Sequence, residues 1–204
     1  MADHKKNHWN QIYSTKTPQE VSWTESKPET SLHFIAAFNV PKDAAIIDIG
    51  GGDSLFVDFL LEEGYQNVSV LDISAKAIER ARKRLGEKAE KVTWIVSDIT
   101  RFVPTETYDV WHDRAVFHFL TDEEDVKKYV GTASKAVKGY LAIGTFSKKG
   151  PLKCSGLEIR QYDEVSLSSA FEPGFEKITC FTKDHITPFE TVQNFTFCSF
   201  KKKQ

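Results

Sequence analysis

Apolar and polar positions alternate in blocks along the chain, and from residue 44 onward each block that predicts a strand precedes one that predicts a helix. AAIIDI (44–49) is a continuous apolar run, which is typical of a strand buried on both faces. SLFVDFLLEEG (54–64) reads as a helix that closes at Gly64. The pattern continues with predicted strands at 67–73, 91–99, 108–113 and 140–147, and with predicted helices at 75–85, from Thr121 to about Val137, and after Asp163.

Capping residues mark the ends of two of these predicted helices. Ser74 is placed to accept a hydrogen bond from the first turn of the 75–85 helix, and Gly86 follows its last residue. Thr121 and Glu124 have the spacing of a capping box, which predicts that the next helix begins there.

Two further strand patterns, FEKITCFTKDH (175–185) and TVQNFTFCSF (191–200), follow one another without a helical pattern between them. Strands joined in this way form an antiparallel hairpin, whereas strands joined through helices run parallel. Five strand–helix units and one hairpin therefore predict an α/β fold. We expect a seven-stranded, mostly parallel sheet with one antiparallel edge strand and helices on both faces.

Residues 1–40 lie outside this alternation and are rich in aromatic residues, Pro, Ser and Thr. They predict a short helix or loop, followed by a helix near Ser31–Phe38. Trp9, Tyr13 and Trp23 indicate that the segment covers another surface, either as a lid over a binding site or as a seal on the sheet edge. We expect a single domain, residues 1–204, with a lid segment (1–40) and an α/β core (41–204).

Composition narrows the classes of partner. The formal net charge of -2 gives no global field that favours nucleic acid or an anionic membrane, and no apolar stretch is long enough to span a bilayer. The N-terminus lacks the apolar region of a secretory signal. Three cysteines without a CxxC pair indicate a reducing compartment with buried or idle thiols, so we expect a cytoplasmic protein. Cys180 and Cys198 fall in strand patterns and are expected to be small core residues.

The glycines in IIDIGGGDS (46–54) lie at the predicted carboxyl end of the first strand, where parallel sheets bind ligands. No Gly-Lys-Ser/Thr follows them, so this is not a P-loop. Gly50 and Gly52 fit the dinucleotide pattern GxGxxG, but Leu55 occupies the third glycine position. Its absence weakens the case for NAD or FAD.

Two acids end the next two predicted strands. Asp72 is about 20 residues beyond the glycines, where a carboxylate accepts hydrogen bonds from ribose hydroxyls. Asp98 is placed to accept from an adenine amino group, and Ile73 and Ile99 are placed to enclose the ring. The pattern predicts a site for an adenosine with little provision for phosphates.

These motifs resemble those of class I S-adenosylmethionine-dependent methyltransferases. Asp48, Gly50 and Gly52 match the first motif, an acid followed by GxGxG, in which Ser54 replaces the third glycine. Asp72 and SDIT (97–100) match the ribose- and adenine-binding segments. YDVWHDRAVFHFL (108–120) resembles the fourth motif, beneath the methionine part of the cofactor.

Two shorter resemblances extend this assignment. HWNQIYSTKTPQEVSW (8–23) resembles the N-terminal lid of bacterial small-molecule methyltransferases, and the Asp113-Arg114 pair resembles thiopurine methyltransferases. The resemblance implies a Rossmann-like fold, S-adenosyl-L-methionine as cofactor and S-adenosyl-L-homocysteine as product. The implied cofactor-binding residues are Trp9, Tyr13, Trp23, Asp48, Gly50, Gly52, Asp72, Ile73, Asp98, Ile99 and Asp113.

Candidate residues for the acceptor side follow the fourth and fifth predicted strands. His118 is the best candidate for a general base, with His112 as a second histidine nearby. Arg114 is expected either to bind an acidic substrate group or to pair with a helix acid. Phe117 and Lys148 are expected to line the substrate pocket together with the loop at 148–162. The spacing of His112, His118 and His185 matches no known ligand set, so we expect no metal.

The acceptor itself is predicted only by class. No [Asp/Asn]-Pro-Pro-[Tyr/Phe] motif follows the fourth strand, and the near-neutral charge disfavours nucleic acid. We expect methylation of a small molecule at S, N, O or Se by a monomer or weak homodimer that binds neither nucleic acid nor membrane. The alternatives are a protein lysine methyltransferase, a catalytically silent cofactor-binding or interaction protein, and an NAD-dependent oxidoreductase.

Overall fold

The computed structural model describes residues 2–204, so Met1 of the predicted lid lies outside the described residues. The strands are β1 (Ala45–Ile49), β2 (Asn67–Asp72), β3 (Val92–Val96), β4 (Tyr108–Arg114), β5 (Val137–Phe146), β6 (Lys153–Cys154), β7 (Leu157–Glu158), β8 (Phe175–Ile186) and β9 (Val192–Lys202). The helices are α1 (Ala2–Thr15), α2 (Glu29–Phe38), α3 (Phe56–Glu62), α4 (Ala75–Leu85), α5 (Glu123–Ala136) and α6 (Glu164–Phe171).

Seven strands form one sheet in the order β3-β2-β1-β4-β5-β9-β8, and β6 pairs with β7 as a separate small hairpin. β1 to β5 are parallel, and β9 is antiparallel to both β5 and β8. The predicted seven-stranded, mostly parallel Rossmann-like sheet is confirmed. The antiparallel strand lies second from the edge, because β9 inserts between β5 and β8.

The two faces of the sheet are covered by different helices. All five residues of β1 are buried, and neighbouring residues serve opposite faces. Ile47 packs in one apolar cluster with Tyr129 of α5 and Phe171 of α6. Ile46 packs in the other, with Ile35 of α2 and further residues of α3. A strand buried on both sides explains the continuous apolar run in the sequence.

Helix ends agree with the sequence pattern at one helix and differ from it at another. Ser74 Oγ accepts a hydrogen bond from the Ala77 amide at 3.2 Å, and Gly86 follows α4 with φ +57°. α5 instead begins at Glu123, with Asp122 at its N-cap and no side-chain hydrogen bond from that cap. The predicted capping box at Thr121 and Glu124 was therefore wrong, because the helix starts later.

The β8–β9 register places Cys180 directly opposite Cys198, and their Cα atoms are 4.1 Å apart. The two residues form a cross-strand disulfide. The expectation of idle thiols was therefore wrong for this pair, because the sequence alone does not fix a hairpin register. Cys154 is a buried free cysteine.

Within the part of the chain that the structure describes, none of the helices has the length and apolar character needed to cross a bilayer.

Candidate active site

Two pockets meet beyond the carboxyl ends of the parallel strands. The smaller pocket, about 110 Å³, extends over the ends of β2 and β3, and the larger pocket, about 880 Å³, extends toward α2 and the end of β8. Both are lined by Tyr13, Trp23, Gly50 and Arg114. The two pockets are therefore adjacent, with these four residues at their boundary.

The glycine loop after β1 lies close to the walls of the smaller pocket. Gly50 has φ +67°, and a Cβ at this position would overlap the Val116 side chain. Gly52 has φ +38°, and a Cβ there would lie 2.6 Å from Asp72 Oδ2. Both positions thus need glycine for conformation and for space. The loop brings backbone, rather than side chains, to the pocket.

Asp72 ends β2 in the smaller pocket and is only 5% exposed. Its Oδ1 accepts a hydrogen bond from the Ser74 amide at 2.7 Å. Burial raises the pKa of Asp72 to about 7, and the nearby charge of Asp48 adds to the rise. Such a carboxylate gains stability from additional hydrogen-bond donors, such as a pair of hydroxyl groups.

Asp98 lies at the neighbouring end of β3 and also lines the smaller pocket. Its Oδ1 accepts hydrogen bonds from the Thr100 amide at 2.9 Å and the Thr100 hydroxyl at 2.8 Å. Ile73 and Ile99 contribute apolar wall beside the two acids. Acids and flat apolar walls together suit a nucleoside.

Aromatic residues of the N-terminal segment cover this pocket. Trp9 packs edge-to-face with Trp23, with ring centroids 5.6 Å apart, and with Phe119 at 5.3 Å. Tyr13 lies 6.2 Å from Trp23. Burial and the charges of Asp72 and Asp53 raise the pKa of Tyr13 well above its ordinary value, so its ring remains a neutral phenol.

Helix α1 is fixed to α4 by polar contacts. Arg80 donates to the Tyr13 carbonyl at 3.2 Å and to the Lys16 carbonyl at 2.8 Å, and it pairs with Asp53 at 3.0 Å. The Ser74 hydroxyl donates to Asn10 Oδ1 at 2.8 Å. These contacts place the aromatic residues of α1 over the smaller pocket.

Arg114 stands where the two pockets meet. Its Nη1 donates to the Trp23 carbonyl at 2.9 Å, and its Nη2 lies 3.2 Å from Glu25 Oε1. Burial lowers the pKa of Arg114. Its buried Nε and Nη2 have no well-aligned hydrogen-bond acceptor among the described residues. The Glu25 carboxylate thus partly neutralises the Arg114 guanidinium where the two pockets meet.

His185, near the end of β8, also contacts residues 22–25, the segment that Arg114 binds through Trp23 and Glu25. Its Nε2 donates to the Ser22 carbonyl at 2.6 Å, and its Nδ1 lies 3.6 Å from Glu25. Burial acts to raise the pKa of Glu25, but the hydrogen bond with His185 and the charges of Arg114 and His185 hold it below its ordinary value. Residues 22–25 are thus fixed at the pocket junction.

A line of three buried polar side chains lies on the wall of the larger pocket. His112 Nδ1 is 2.7 Å from Asp48 Oδ1, and His112 Nε2 is 2.8 Å from Ser31 Oγ. Ser31, Asp48 and His112 are 1%, 3% and 4% exposed, yet all three line the pocket. The Phe56 ring packs against the imidazole with centroids 4.3 Å apart.

The structure does not bring His118 into either pocket. Its ring is fully buried and stacks on Phe146, and its Nδ1 accepts from the Phe146 amide at 3.3 Å. Burial, together with the charge of Arg114, lowers the pKa of His118 to about 3. The assignment of His118 as general base is therefore corrected, because a ring with this pKa and position is a poor proton acceptor at neutral pH.

Three other predicted site residues lie outside both pockets. Asp113 is fully buried: Oδ1 accepts from the Val116 and Phe117 amides at 2.9 and 3.3 Å, and Oδ2 accepts from the Tyr129 hydroxyl at 2.6 Å. It supports the turn in which Ala115 has φ +71°, rather than lining a pocket. Phe117 is a core residue, and Lys148 is exposed and lines neither pocket.

The loop at 148–162 contributes little to the site. It forms the β6–β7 hairpin, and Cys154 alone among its residues lines one of the two pockets. Burial raises the pKa of the Cys154 thiol to about 12, so it is a poor thiolate. The sequence interpretation missed Ser31 and Glu25, which carry no motif, and considered His185 only as a metal ligand.

Comparisons with known proteins relate the chain to methyltransferases. A family model described as a methyltransferase domain matches residues 46–139. EEF1A lysine methyltransferase 2 from Danio rerio is 26% identical over 168 residues, which cover 78% of this chain and 66% of that protein. Nodulation protein S from Rhizobium tropici is 28% identical over 104 residues, covering 50% of this chain and 43% of that protein. The chain thus spans less than two thirds of the length of these curated relatives.

A solved structure has the same fold. The N-methyltransferase NodS from Bradyrhizobium japonicum, in complex with S-adenosyl-L-homocysteine, matches with a TM-score of 0.68 at 15% identity, over 100% of this chain and 97% of that chain. Sheet order, glycine loop and strand-end acids define a Rossmann-like methyltransferase. Residues 46–139 therefore match a methyltransferase domain, and the sheet has the Rossmann-like methyltransferase fold.

Proposed function

We propose that the chain binds S-adenosylmethionine across the junction of the two pockets, with its adenosine part in the smaller pocket, and transfers its methyl group to a small molecule in the larger pocket. The observation that carries this proposal is the junction of the two pockets at Tyr13, Trp23, Gly50 and Arg114. When bound, the cofactor supplies an electrophilic methyl group on a sulfonium. The protein must hold the donor and acceptor in line and exclude water.

The residues of the smaller pocket fit the adenosine part of this cofactor. Asp72 is placed to accept hydrogen bonds from ribose hydroxyls. Its raised pKa shows that the buried carboxylate is poorly solvated, so such donors would stabilise its charged form. Asp98, with Ile73 and Ile99, is placed at the adenine end. Gly50 brings bare backbone to both pockets, where a compact, phosphate-free tail can approach, whereas Gly52 lines neither pocket and lets the loop pack against Asp72.

The N-terminal segment is assigned the role of a lid. Trp9, Tyr13 and Trp23 cover the smaller pocket and offer aromatic faces, which tolerate a sulfonium cation. Asp48, which belongs to the glycine motif, lines the larger pocket rather than the smaller one. We therefore assign Asp48 to the acceptor side of the site.

The larger pocket supports a small acceptor. Its volume of about 880 Å³ lies within the range of small-molecule sites. Arg114 is assigned to binding an acidic group of the acceptor, because its cationic side chain lines both pockets. A protein lysine is the second candidate, since a relative that aligns with 78% of the chain is a lysine methyltransferase.

Calorimetry tests the cofactor, and isotope transfer tests the acceptor. We expect S-adenosylmethionine and S-adenosylhomocysteine to bind, and NAD not to bind. Binding of NAD without binding of either adenosyl compound would contradict the proposal. With a radiolabelled methyl donor and a size-fractionated cell extract, label should enter the small-molecule fraction. Label confined to protein would instead support the lysine alternative.

A further inference from the structure

We propose that Ser31, His112 and Asp48 form a proton relay that deprotonates the methyl acceptor, so the acceptor binds as a protonated nucleophile: a hydroxyl, a thiol or an ammonium group. The inference rests on the proposed function and adds the chemistry of the acceptor. It replaces His118, which lies away from both pockets.

The three side chains form a continuous hydrogen-bonded path from the larger pocket to the buried Asp48 carboxylate. Ser31 Oγ lies 2.8 Å from His112 Nε2, and His112 Nδ1 lies 2.7 Å from Asp48 Oδ1. Asp48 accepts from Nδ1–H, which fixes the tautomer and leaves Nε2 as an acceptor for the Ser31 hydroxyl. Ser31 is then the member whose oxygen can accept a proton from a bound molecule.

The location favours a chemical role over a purely structural one. Three polar side chains packed against the apolar cluster of α2 and α3 cost more to bury than apolar residues of similar volume. They come from three separate elements, α2, β1 and β4, and all line the larger pocket. Gly50 and Arg114, at the junction with the smaller pocket, line the same cavity.

The proposed step conserves atoms and electrons. The acceptor's proton moves to Ser31 Oγ as the Ser31 proton moves to His112 Nε2, and Asp48 pairs with the resulting imidazolium. The electron pair on the acceptor atom forms the bond to the methyl carbon. The bond from that carbon to sulfur breaks, and its electrons remain on sulfur. The imidazolium then releases one proton to solvent.

A spectroscopic measurement tests the relay without cofactor or acceptor. Nitrogen NMR of protein labelled with ¹⁵N in histidine rings reports which nitrogen of His112 carries the proton, and His112→Ala identifies the signal by its loss. We expect a protonated Nδ1 and a bare Nε2 at neutral pH. A proton on Nε2 overturns the relay, because that nitrogen would then donate to Ser31.

Transfer rates supply the second test, with the radiolabelled methyl donor and whichever extract fraction accepts label. We expect Ser31→Ala and His112→Ala to lower turnover by about 10²–10⁴-fold while S-adenosylhomocysteine affinity stays within about threefold of wild type. Ser31→Thr, which keeps the hydroxyl, should recover most of the rate. His33→Ala, an exposed histidine of the same helix as Ser31, is the matched control.

The outcomes separate the two proposals. Wild-type protein that binds no S-adenosylhomocysteine, or that transfers no label to any fraction, contradicts the proposed function. Normal cofactor binding and transfer together with less than about tenfold loss in both Ser31→Ala and His112→Ala overturns the relay alone.

Discussion

At the scale of single residues, the site contains a carboxylate whose burial opposes folding. Asp72 has a pKa of about 7, well above the ordinary value of 3.8, mainly because it is buried. The folded protein therefore binds this proton more tightly than the unfolded chain. Asp72 therefore contributes most to stability below about pH 4, where it is protonated in both the folded and the unfolded state. This contribution is lost as pH rises through about 7, where the buried carboxyl group ionises.

We predict that Asp72→Asn stabilises the cofactor-free protein by about 1–4 kcal/mol at pH 8, with the gain shrinking as pH falls from about 7 toward 4. Asparagine removes the charge and keeps an oxygen for the Ser74 amide. The same change should weaken S-adenosylhomocysteine binding by about 1.5–3 kcal/mol. Denaturant unfolding at two pH values and calorimetry measure these effects. Asp43→Asn, at an exposed position, is the control; equal effects of the two variants would contradict the prediction.

His118 gives a second prediction. We expect His118→Phe to lower turnover by less than about tenfold, far from the 10²–10⁴-fold expected for a general base. The phenyl ring preserves the stack on Phe146, but the Phe146 amide loses its acceptor, so stability should fall by about 1–3 kcal/mol. Rates are compared at equal folded fraction. A hundredfold loss in a fully folded variant would restore His118 as a base.

The candidate residues that follow a strand pattern could be placed together from the sequence. Asp72 and Asp98 could be predicted to line one pocket because they follow predicted parallel strands, and such ends meet at one edge of the sheet. Ser31 was not found, because it reaches His112 from a helix 81 positions away in the chain. The role of His118 was misassigned, since sequence does not show which face of the turn after β4 a ring occupies.

At the scale of elements, the lid depends on how α1 attaches to α4. Arg80 links the end of α1 to α4 through two backbone carbonyls, while its neighbour Arg82 contacts Glu90 at 3.7 Å on the surface. Arg80 and Arg82 thus lie on the same helix, but among the described contacts only Arg80 contacts α1. Arg82 is therefore a matched control for Arg80.

We predict that Arg80→Gln increases amide hydrogen exchange in residues 5–16 and weakens S-adenosylhomocysteine binding by about 3–30-fold, because charge-assisted hydrogen bonds to α1 are lost. Arg82→Gln should leave both unchanged. Exchange mass spectrometry and calorimetry provide the measurements. Indistinguishable exchange in the two variants would show that α1 does not rely on Arg80.

Strand positions were predictable because apolar runs report burial directly. β1 begins one residue from its predicted start, and β4 extends one residue beyond its predicted end. The length of α1 was underestimated, since its polar sequence lacks a strong helical stripe. The start of α5 was also missed, because Thr121 and Asp122 both suit an N-cap and local sequence does not decide between them.

At the scale of the whole molecule, the Cys180–Cys198 disulfide joins the edge strand β8 to its neighbour β9. It links residues separated by 18 positions across β8 and β9. We predict that Cys198→Ser lowers the free energy of unfolding by about 2–4 kcal/mol under oxidising conditions. Under reducing conditions the difference from wild type should largely vanish. Denaturant unfolding with and without reductant tests this, with Cys154→Ser as control. A loss that persists unchanged in reductant would assign the effect to packing.

The insertion of β9 between β5 and β8 has a consequence for biosynthesis. A ribosome delivers β8 before β9, yet β8 joins the sheet only through β9, which carries the buried Phe195, Cys198 and Phe200. Until residues 192–202 emerge, β5 presents an unpaired edge, and the apolar residues that β9 covers stay exposed in the nascent chain. We therefore expect the sheet to complete only after residues 192–202 have emerged from the ribosome, and we expect a nascent chain that ends before them to require a chaperone most.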